Sequence, residues 1–199
     1  MNCLLSGVGG QGTVLASKLI ARTAMQKGIN VRTAETIGMA QRGGCVVSHV
    51  RTGDVIHSPL IPLGTADLII GFEPSEALRV LPYLSENGIV ITSRKNIDPV
   101  TASLSGDTFD ADEMIACLSK HAKTYAIDTE AIAKQIGSTR VVNMILLGAA
   151  LEAGALPFSF EELAETIKKN VKPQFFEMNV QSIKAGMKVI ADSRLKEEK

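Results

Sequence analysis

The residues of this chain best suited to chemistry form a glycine-rich turn near the amino terminus. Gly7, Gly9 and Gly12 have the spacing GxGxxG and stand between a predicted strand and a predicted helix. Because glycine lacks a Cβ atom, such a turn is tight and lets a ligand approach the backbone, while the first amides of the helix can bind a phosphate or carboxylate. The pattern predicts an anion-binding loop. The alternative is that the glycines only let the helix pack close to the strand.

Gly10 and Gln11 occupy the middle of the same turn. The Gln11 side chain carries both a donor and an acceptor, so it can orient a ligand or hydrogen-bond the neighbouring backbone, and both interpretations stay open here. If the ligand were NAD, an acid would be expected at the end of the second strand, about 20 residues further on. Glu35 follows Gly12 by 23 residues, which keeps a dinucleotide site as a hypothesis.

The second candidate binding segment consists of Gln41, Arg42, Gly43 and Gly44. A guanidinium group next to glycines can reach a phosphate or a carboxylate while the backbone around it stays open. An ordinary ion pair or a solvated arginine is the alternative interpretation. The segment therefore adds a possible anion contact, and Arg42 is its central residue.

Two polar residues outside the glycine segments are further candidates. Glu73 follows a predicted strand, and open α/β sheets bind ligands beyond the carboxyl ends of their strands. Glu73 could instead cap the helix that begins near Ser75. Asn143 stands at the head of an apolar helix, where it either faces the cleft or satisfies backbone groups.

The elements that must position these residues follow from the hydrophobic pattern. Strands are predicted at residues 2–6 and 29–34 with a helix at 13–27 between them, which together form a βαβ unit and favour a parallel sheet. A strand at 45–51 leads through a hairpin-like turn into Val55 and Ile56. Further strands are predicted at residues 68–71, 88–92 and 125–128, with a short helix at 76–84.

From about residue 129 onward the pattern becomes helical, and the last helix carries an apolar seam on one face. The seam consists of Phe176, Val180, Ile183, Met187 and Ile190. We expect a Rossmann-like α/β fold, a three-layer sandwich with a mainly parallel sheet and a helical C-terminal extension. Residues 1–199 are expected to form one domain.

Composition excludes several classes of protein. Of the 199 residues, 21 are basic and 21 acidic, so the chain lacks the positive charge of a general nucleic-acid binder. The longest apolar stretch, residues 141–156, is too short to span a membrane and contains Glu152. The amino terminus has no secretory signal pattern, so a cytoplasmic location is expected.

The cysteines and histidines predict no catalytic or metal centre within the chain. Cys3, Cys45 and Cys117 form no CxxC pair, so neither a tetrahedral zinc site nor an iron–sulfur cluster is expected. Cys45 is expected to be a buried thiol. His49 and His57 have no Ser or Cys partner at a spacing that would indicate a triad. No catalytic residue is assigned.

Several motifs together resemble the gamma-type domain of the 2-oxoacid:ferredoxin oxidoreductases, and most closely its indolepyruvate branch. The resemblance covers nearly the whole chain. The motifs are Gly10-Gln11 within the turn, Gln41-Arg42-Gly43-Gly44, Ser48-His49-Val50-Arg51, the stretch from Ala66 to Pro74, Asn143-Met144, Leu147-Gly148-Ala149, and Asn179 with Ala185-Gly186.

The resemblance implies a subunit of a heteromeric complex that converts aryl 2-oxoacids and coenzyme A to acyl-CoA and CO₂ and passes electrons to ferredoxin. It implies that thiamine diphosphate and 4Fe-4S clusters reside on a larger partner subunit and that the chain is inactive alone. A homodimer of the isolated chain stays open. Two alternatives remain: an independent NAD-dependent dehydrogenase that uses Gly7, Gly9, Gly12 and Glu35, and a non-catalytic module that senses a nucleotide or an acyl-CoA.

Overall fold

The computed structural model describes residues 1–35, 44–95 and 110–197. Within these ranges, the strands are β1 (Asn2–Val8), β2 (Val31–Glu35), β3 (Cys45–Thr52), β4 (Ala66–Gly71), β5 (Leu84–Ser93) and β6 (Lys123–Ile127). They form one sheet in the order β2-β3-β1-β4-β5-β6. The neighbours β1, β4, β5 and β6 are parallel, whereas β3 is antiparallel to β1 and to β2.

The sheet is mainly parallel, as predicted, but β1 and β2 are not neighbours. β3 lies between them and pairs Cys45 with Val8 on one side and Ser48 with Glu35 on the other. Burial alternates along β3, as is usual for an antiparallel strand, whereas five consecutive residues of β1 are buried. The predicted βαβ unit is present, because β1 and β2 are both antiparallel to β3 and therefore parallel to each other, but β3 is inserted between them. Residues 53–65 form a loop rather than the second strand of a hairpin.

Helices cover both faces of the sheet, as predicted. Successive residues of the central strands point to opposite faces, so Leu4 and Leu5 belong to different hydrophobic clusters. The helices α2 (Pro74–Arg79) and α3 (Ala111–His121) pack on the Leu4 face, and the other helices pack on the Leu5 face. No described helix is long and apolar enough to cross a membrane. The helices are α1 (Thr13–Gln26), α2 (Pro74–Arg79), α3 (Ala111–His121), α4 (Thr129–Ile136), α5 (Val142–Glu152), α6 (Phe160–Asn170) and α7 (Phe176–Glu197).

The helix α3 was not predicted from the sequence, although its start carries clear signals. The Asp110 side chain accepts a hydrogen bond from the Asp112 amide at 2.8 Å and so caps the helix. Asp112 and Glu113 lie in the first turn and Lys120 and His121 in the last, which matches the helix dipole at both ends. Leu118 alone is fully buried, and this short apolar face explains why periodicity gave a weak signal.

The apolar seam of α7 packs against α5, where two glycines allow the helix backbones to meet. A Cβ atom on Gly148 of α5 would overlap the carbonyl oxygen of Ile183, and one on Gly186 of α7 would overlap the carbonyl oxygen of Ile145. Ile183 and Ile190 of the seam are fully buried. The reciprocal contact fixes α5, and the amino end of α5 carries Asn143.

We predict that Gly186→Ala lowers the free energy of unfolding by about 2 kcal/mol, because backbone overlap outweighs the helix propensity that alanine adds. Urea unfolding followed by circular dichroism measures the effect. Lys188→Ala, at an exposed position of the same helix, should change stability by less than about 0.5 kcal/mol. A Gly186→Ala protein as stable as the wild type would contradict the close crossing.

Candidate ligand-binding site

The glycine turn joins the end of β1 to the start of α1. Gly10 has φ +101° and Gly12 has φ +90°, in the left-handed region that favours glycine. The Gly9 amide donates to the Gly44 carbonyl at 2.9 Å, which ties the turn to the start of β3. The amides of the first turn of α1 have no partner within the helix, and Gly12, which caps it, offers no side chain.

The Gln11 side chain lies beneath the turn and connects two strand ends. Its Oε1 accepts from the Val8 amide at 2.7 Å, and its Nε2 donates to Glu73 Oε1 at 2.5 Å. A Cβ atom at Gly7 would lie 2.6 Å from Gln11 Oε1, so a larger residue would displace the amide. Gln11 therefore hydrogen-bonds the neighbouring backbone, which is one of the two roles considered for it.

Glu73 is the second residue after β4 and is only 1% exposed. It occupies the position before α2, but its side chain makes no capping hydrogen bond to that helix. Its carboxylate instead contacts Gln11 beneath the glycine turn. Buried Glu73 therefore stabilises the glycine turn through its hydrogen bond with Gln11.

A cavity of about 450 Å³ opens beside the turn. It lies at the carboxyl ends of β1, β4, β5 and β6, which is where parallel α/β sheets bind ligands. Its apolar lining residues include Leu15, Phe72 and Val142. The other lining residues are Gly10, Gln11, Gly12, Ser93, Lys95, Thr129, Glu130, Ala133, Thr139, Arg140 and Asn143.

Asn143 brings the amino end of α5 against the glycine turn. It is 3% exposed, and its Oδ1 accepts from the Met144 amide at 3.0 Å. Its Nδ2 lies 2.8 Å from the position that a Cβ atom on Gly12 would occupy. Asn143 therefore both satisfies the backbone and faces the cavity, and any side chain at position 12 would strike it.

Three charged side chains that line the cavity are exposed and so lie at its rim. Lys95 Nζ lies 2.9 Å from Glu130 Oε1, and both side chains are about half exposed. Arg140 is exposed and lines the same rim. None of the three was predicted from the sequence. The sequence signal that could have indicated Lys95 and Glu130 is their position, because Lys95 follows the end of β5 and Glu130 follows the end of β6.

The predicted site residues fall into three groups. Gly10, Gln11 and Gly12 line the cavity. Gly7 and Glu73 contact Gln11 from behind, whereas Gly9 lines a smaller recess of about 260 Å³ on the other side of the turn and binds Gly44. Gln41, Arg42 and Gly43 lie outside the described residues, so their role as anion contacts stays a prediction.

Glu35 does not share the cavity with the glycine turn. Its carboxylate accepts from the Ser17 hydroxyl at 2.9 Å, and it lines a separate recess with Lys18 and Arg22. Since β3 separates β1 from β2, Glu35 is two strand spacings from β1, or about 10 Å. The arrangement differs from a dinucleotide site, in which the strand that carries the acid is adjacent to the strand before the turn.

Cys45 is exposed, so the prediction of a buried thiol is wrong. It is the first residue of β3, at the rim of the sheet, and its thiol donates to Glu76 Oε1 at 3.1 Å. This hydrogen bond raises the pKa of Cys45, and partial burial adds to the effect. The thiol is thereby kept protonated and weakly nucleophilic.

His49 has a structural contact rather than a catalytic one. Its Nδ1 accepts from the Ile61 amide at 3.2 Å, and its ring meets Tyr83 edge-on with 6.0 Å between centroids. Burial lowers the pKa of His49 because the charged ring would lose its hydration. His49 thus holds the loop 53–65 against the sheet in its neutral form.

A family model described as "Pyruvate ferredoxin/flavodoxin oxidoreductase" matches residues 2–189. The chain therefore belongs to this family and is a subunit of the 2-oxoacid:ferredoxin oxidoreductase class. Its resemblance to that family, inferred from the motifs, is confirmed. A curated relative, "Indolepyruvate oxidoreductase subunit IorB" of Archaeoglobus fulgidus, is 40% identical over 94% of this chain and 93% of its own length.

Solved structures share the fold at lower identity. The gamma subunit of a keto/oxoacid ferredoxin oxidoreductase from Geobacter sulfurreducens has a TM-score of 0.70 and 21% identity, covering 96% of this chain and 98% of that one. The 2-oxoglutarate:ferredoxin oxidoreductase of Magnetococcus marinus has a TM-score of 0.75 and 18% identity, covering 96% of this chain and 31% of that one. Both likenesses confirm the predicted fold class.

We predict that Gln11→Leu lowers the free energy of unfolding by about 1–3 kcal/mol, because it removes a partner from the Val8 amide and another from the buried Glu73 carboxylate. Thermal and urea unfolding measure the loss. Gln135→Leu, on the exposed side of α4, is the matched control and should be nearly neutral. Equal stabilities of the two variants would show that the Gln11 hydrogen bonds contribute nothing.

The pKa shift of His49 predicts a loss of stability in mild acid. Because the pKa of His49 is lowered from 6.5 in the folded chain, the unfolded chain binds the proton more readily. The contribution of neutral His49 to the free energy of unfolding is complete above pH 6.5, and it declines as the pH falls from there through the pKa of His49 in the folded chain. Urea unfolding at pH 7.5, 6.5 and 5.5 should show a steeper decline for the wild type than for His49→Gln.

His57→Gln serves as the control for this series, since His57 is exposed. Its pH profile should follow that of the wild type. If His49→Gln also followed the wild type at every pH, His49 would not be the group responsible.

Proposed function

We propose that the chain is the small subunit of a complex that oxidatively decarboxylates aryl 2-oxoacids of the indolepyruvate type. In this reaction the 2-oxoacid and coenzyme A yield an acyl-CoA and CO₂, and two electrons pass to ferredoxin. The indolepyruvate oxidoreductase subunit of A. fulgidus, at 40% identity, supports the choice of substrate. Family membership supports the class of reaction.

The role proposed for this chain within the complex is to bind coenzyme A in the cavity beside the glycine turn. The observation that carries the proposal is a cavity of about 450 Å³ that is lined by Gly10 and Gly12, which have no side chains, directly before the start of α1. Leu15 and Phe72 give the cavity apolar lining suited to the pantetheine arm, and Lys95 and Arg140 provide positive charge for phosphates.

A buried hydroxyl at the start of α1 lies outside this cavity. Thr13 Oγ1 is buried and, in the part of the chain that the structure describes, has no hydrogen-bond partner. A buried hydroxyl without a partner is costly, so it usually meets a water or a ligand atom. It lies at the recess lined by Gly9 and Gly10, on the other side of the same turn.

Thiamine diphosphate and 4Fe-4S clusters are assigned to a larger partner subunit, through which ferredoxin would be reduced. The donor set of this chain does not fit a cluster: its three cysteines are separate free thiols, and no three His, Cys, Asp or Glu side chains of the described ranges are grouped as a metal would need. Free thiols also agree with a cytoplasmic location, which we retain as part of the proposal. Residues 1–199 would act as one domain of that complex.

Coenzyme A binding is tested by Gly12→Ala in the complex purified through a tag on this chain. An alanine at position 12 would place its Cβ atom against Asn143 and narrow the cavity, so we predict a KM for coenzyme A raised at least about tenfold, which corresponds to about 1.4 kcal/mol. The KM for the 2-oxoacid should stay within a factor of two to three, an order-of-magnitude margin. Initial rates of ferredoxin reduction give both constants.

Gly64→Ala is the matched control. Gly64 also has a positive φ, of +70°, but it has open space around it and does not line the cavity. Gly64→Ala should therefore introduce the same kind of backbone strain as Gly12→Ala but leave the KM for coenzyme A unchanged. Equal KM values for coenzyme A in the wild type and Gly12→Ala would contradict the proposed site.

The choice of substrate is tested separately by comparing kcat/KM for indolepyruvate, pyruvate and 2-oxoglutarate with the same complex. Indolepyruvate should be preferred, and the isolated chain should show no turnover and no visible iron–sulfur absorbance. Saturable NAD binding with turnover by the isolated chain would instead support the dehydrogenase that uses Glu35. Equal use of all three oxoacids would contradict the aryl preference.

A further inference from the structure

The charged side chains at the rim of the cavity differ in how they are paired. Lys95 Nζ is bound to Glu130 Oε1 at 2.9 Å. The guanidinium group of Arg140, at the same rim, has no hydrogen-bond or ion-pair partner among the residues that the structure describes. An anion that enters the cavity can therefore bind Arg140 directly, whereas Lys95 is already paired with Glu130.

The backbone beneath this rim is held in place by hydrogen bonds. Ser93 Oγ lies 2.7 Å from Thr129 Oγ1 and accepts from the Lys95 amide at 3.0 Å. The Arg94 amide donates to the Ile127 carbonyl at 2.8 Å. These contacts join the end of β5 to the start of α4, so the starting points of Lys95 and Glu130 are fixed while their long side chains remain half exposed.

The pair of Lys95 and Glu130 is of the kind that a phosphate can displace. Exposed ion pairs are weak, because water screens the charges and two long side chains must be ordered. A phosphate offers Lys95 a stronger, charge-assisted acceptor. Once Lys95 turns to the phosphate, however, the Glu130 carboxylate remains at the rim and repels the ligand.

We infer that Arg140 is the principal phosphate-binding residue of the cavity and that Glu130 is a built-in competitor that weakens binding of the phosphate-bearing part of coenzyme A. The inference rests on the proposed function, since it takes coenzyme A as the ligand. Glu130 thereby limits the affinity of the subunit for its co-substrate, which favours release of the acyl-CoA product. Removal of this carboxylate should tighten binding, whereas removal of the guanidinium should loosen it.

The test is the dissociation constant of coenzyme A, measured by isothermal titration with the complex purified through a tag on this chain. Arg140→Met should weaken binding about tenfold, because a charge-assisted hydrogen bond to phosphate is lost. Glu130→Gln should tighten binding about two- to fivefold, the size expected for an exposed charge. Pantetheine, which lacks the phosphates, should bind all these proteins equally.

Lys95→Met combined with Glu130→Gln separates competition from simple repulsion. If Glu130 weakens binding by pairing with Lys95, the gain in affinity for coenzyme A from Glu130→Gln should be at least about twofold smaller in the Lys95→Met background. This is an order-of-magnitude expectation for coupled neighbours. An undiminished gain in the Lys95→Met background would contradict the competition.

Two substitutions away from the cavity are the controls. Lys134→Met removes an exposed cation from α4, and Glu177→Gln removes an exposed acid from the first turn of α7. Neither should change the dissociation constant. If either control shifted binding as far as its counterpart at the rim, the effects would belong to net charge and the inference would be wrong.

Failure of the inference and failure of the proposed function give different results. If wild-type complex does not bind coenzyme A, the proposed function fails and the inference fails with it. If the wild type binds coenzyme A but Arg140→Met and Glu130→Gln leave the dissociation constant unchanged, only the inference is overturned.

Discussion

The side-chain amide of Gln11 connects the end of β1 to Glu73, two residues beyond the end of β4, and the ligand-binding side of the molecule is built around this contact. Its oxygen satisfies the Val8 amide and its nitrogen meets the buried Glu73 carboxylate. Because Gln11 turns inward, the glycines on either side of it can expose backbone to the cavity. The same inward turn requires Gly7, since a Cβ atom there would strike the amide.

The rest of the cavity is brought to this turn by the topology of the sheet. Four parallel strands end at one edge, so residues distant in sequence, such as Lys95 and Arg140, line the same cavity as the glycines. The crossing of α5 and α7 at Gly148 and Gly186 fixes the helix that carries Asn143. A chain with no net charge can thus still present a locally positive site.

Local patterns predicted the parts of the fold that depend on local physics. The glycine turn, the buried strands and the seam of α7 all follow from spacing and hydrophobic period. The position of β3 between β1 and β2 depends on which strands pair with each other, and no local sequence pattern decides that pairing. Likewise, Lys95, Glu130 and Arg140 form no motif in the sequence, because the fold alone brings them together.

The central claim is that the cavity beside the glycine turn binds coenzyme A. Amide hydrogen exchange of the intact complex, with and without saturating coenzyme A, tests it most directly because exchange reports protection segment by segment. The account predicts slower exchange at residues 9–15 and 139–144, on the two sides of the cavity. Unchanged exchange in both segments, with protection confined to other parts of the complex, would contradict it.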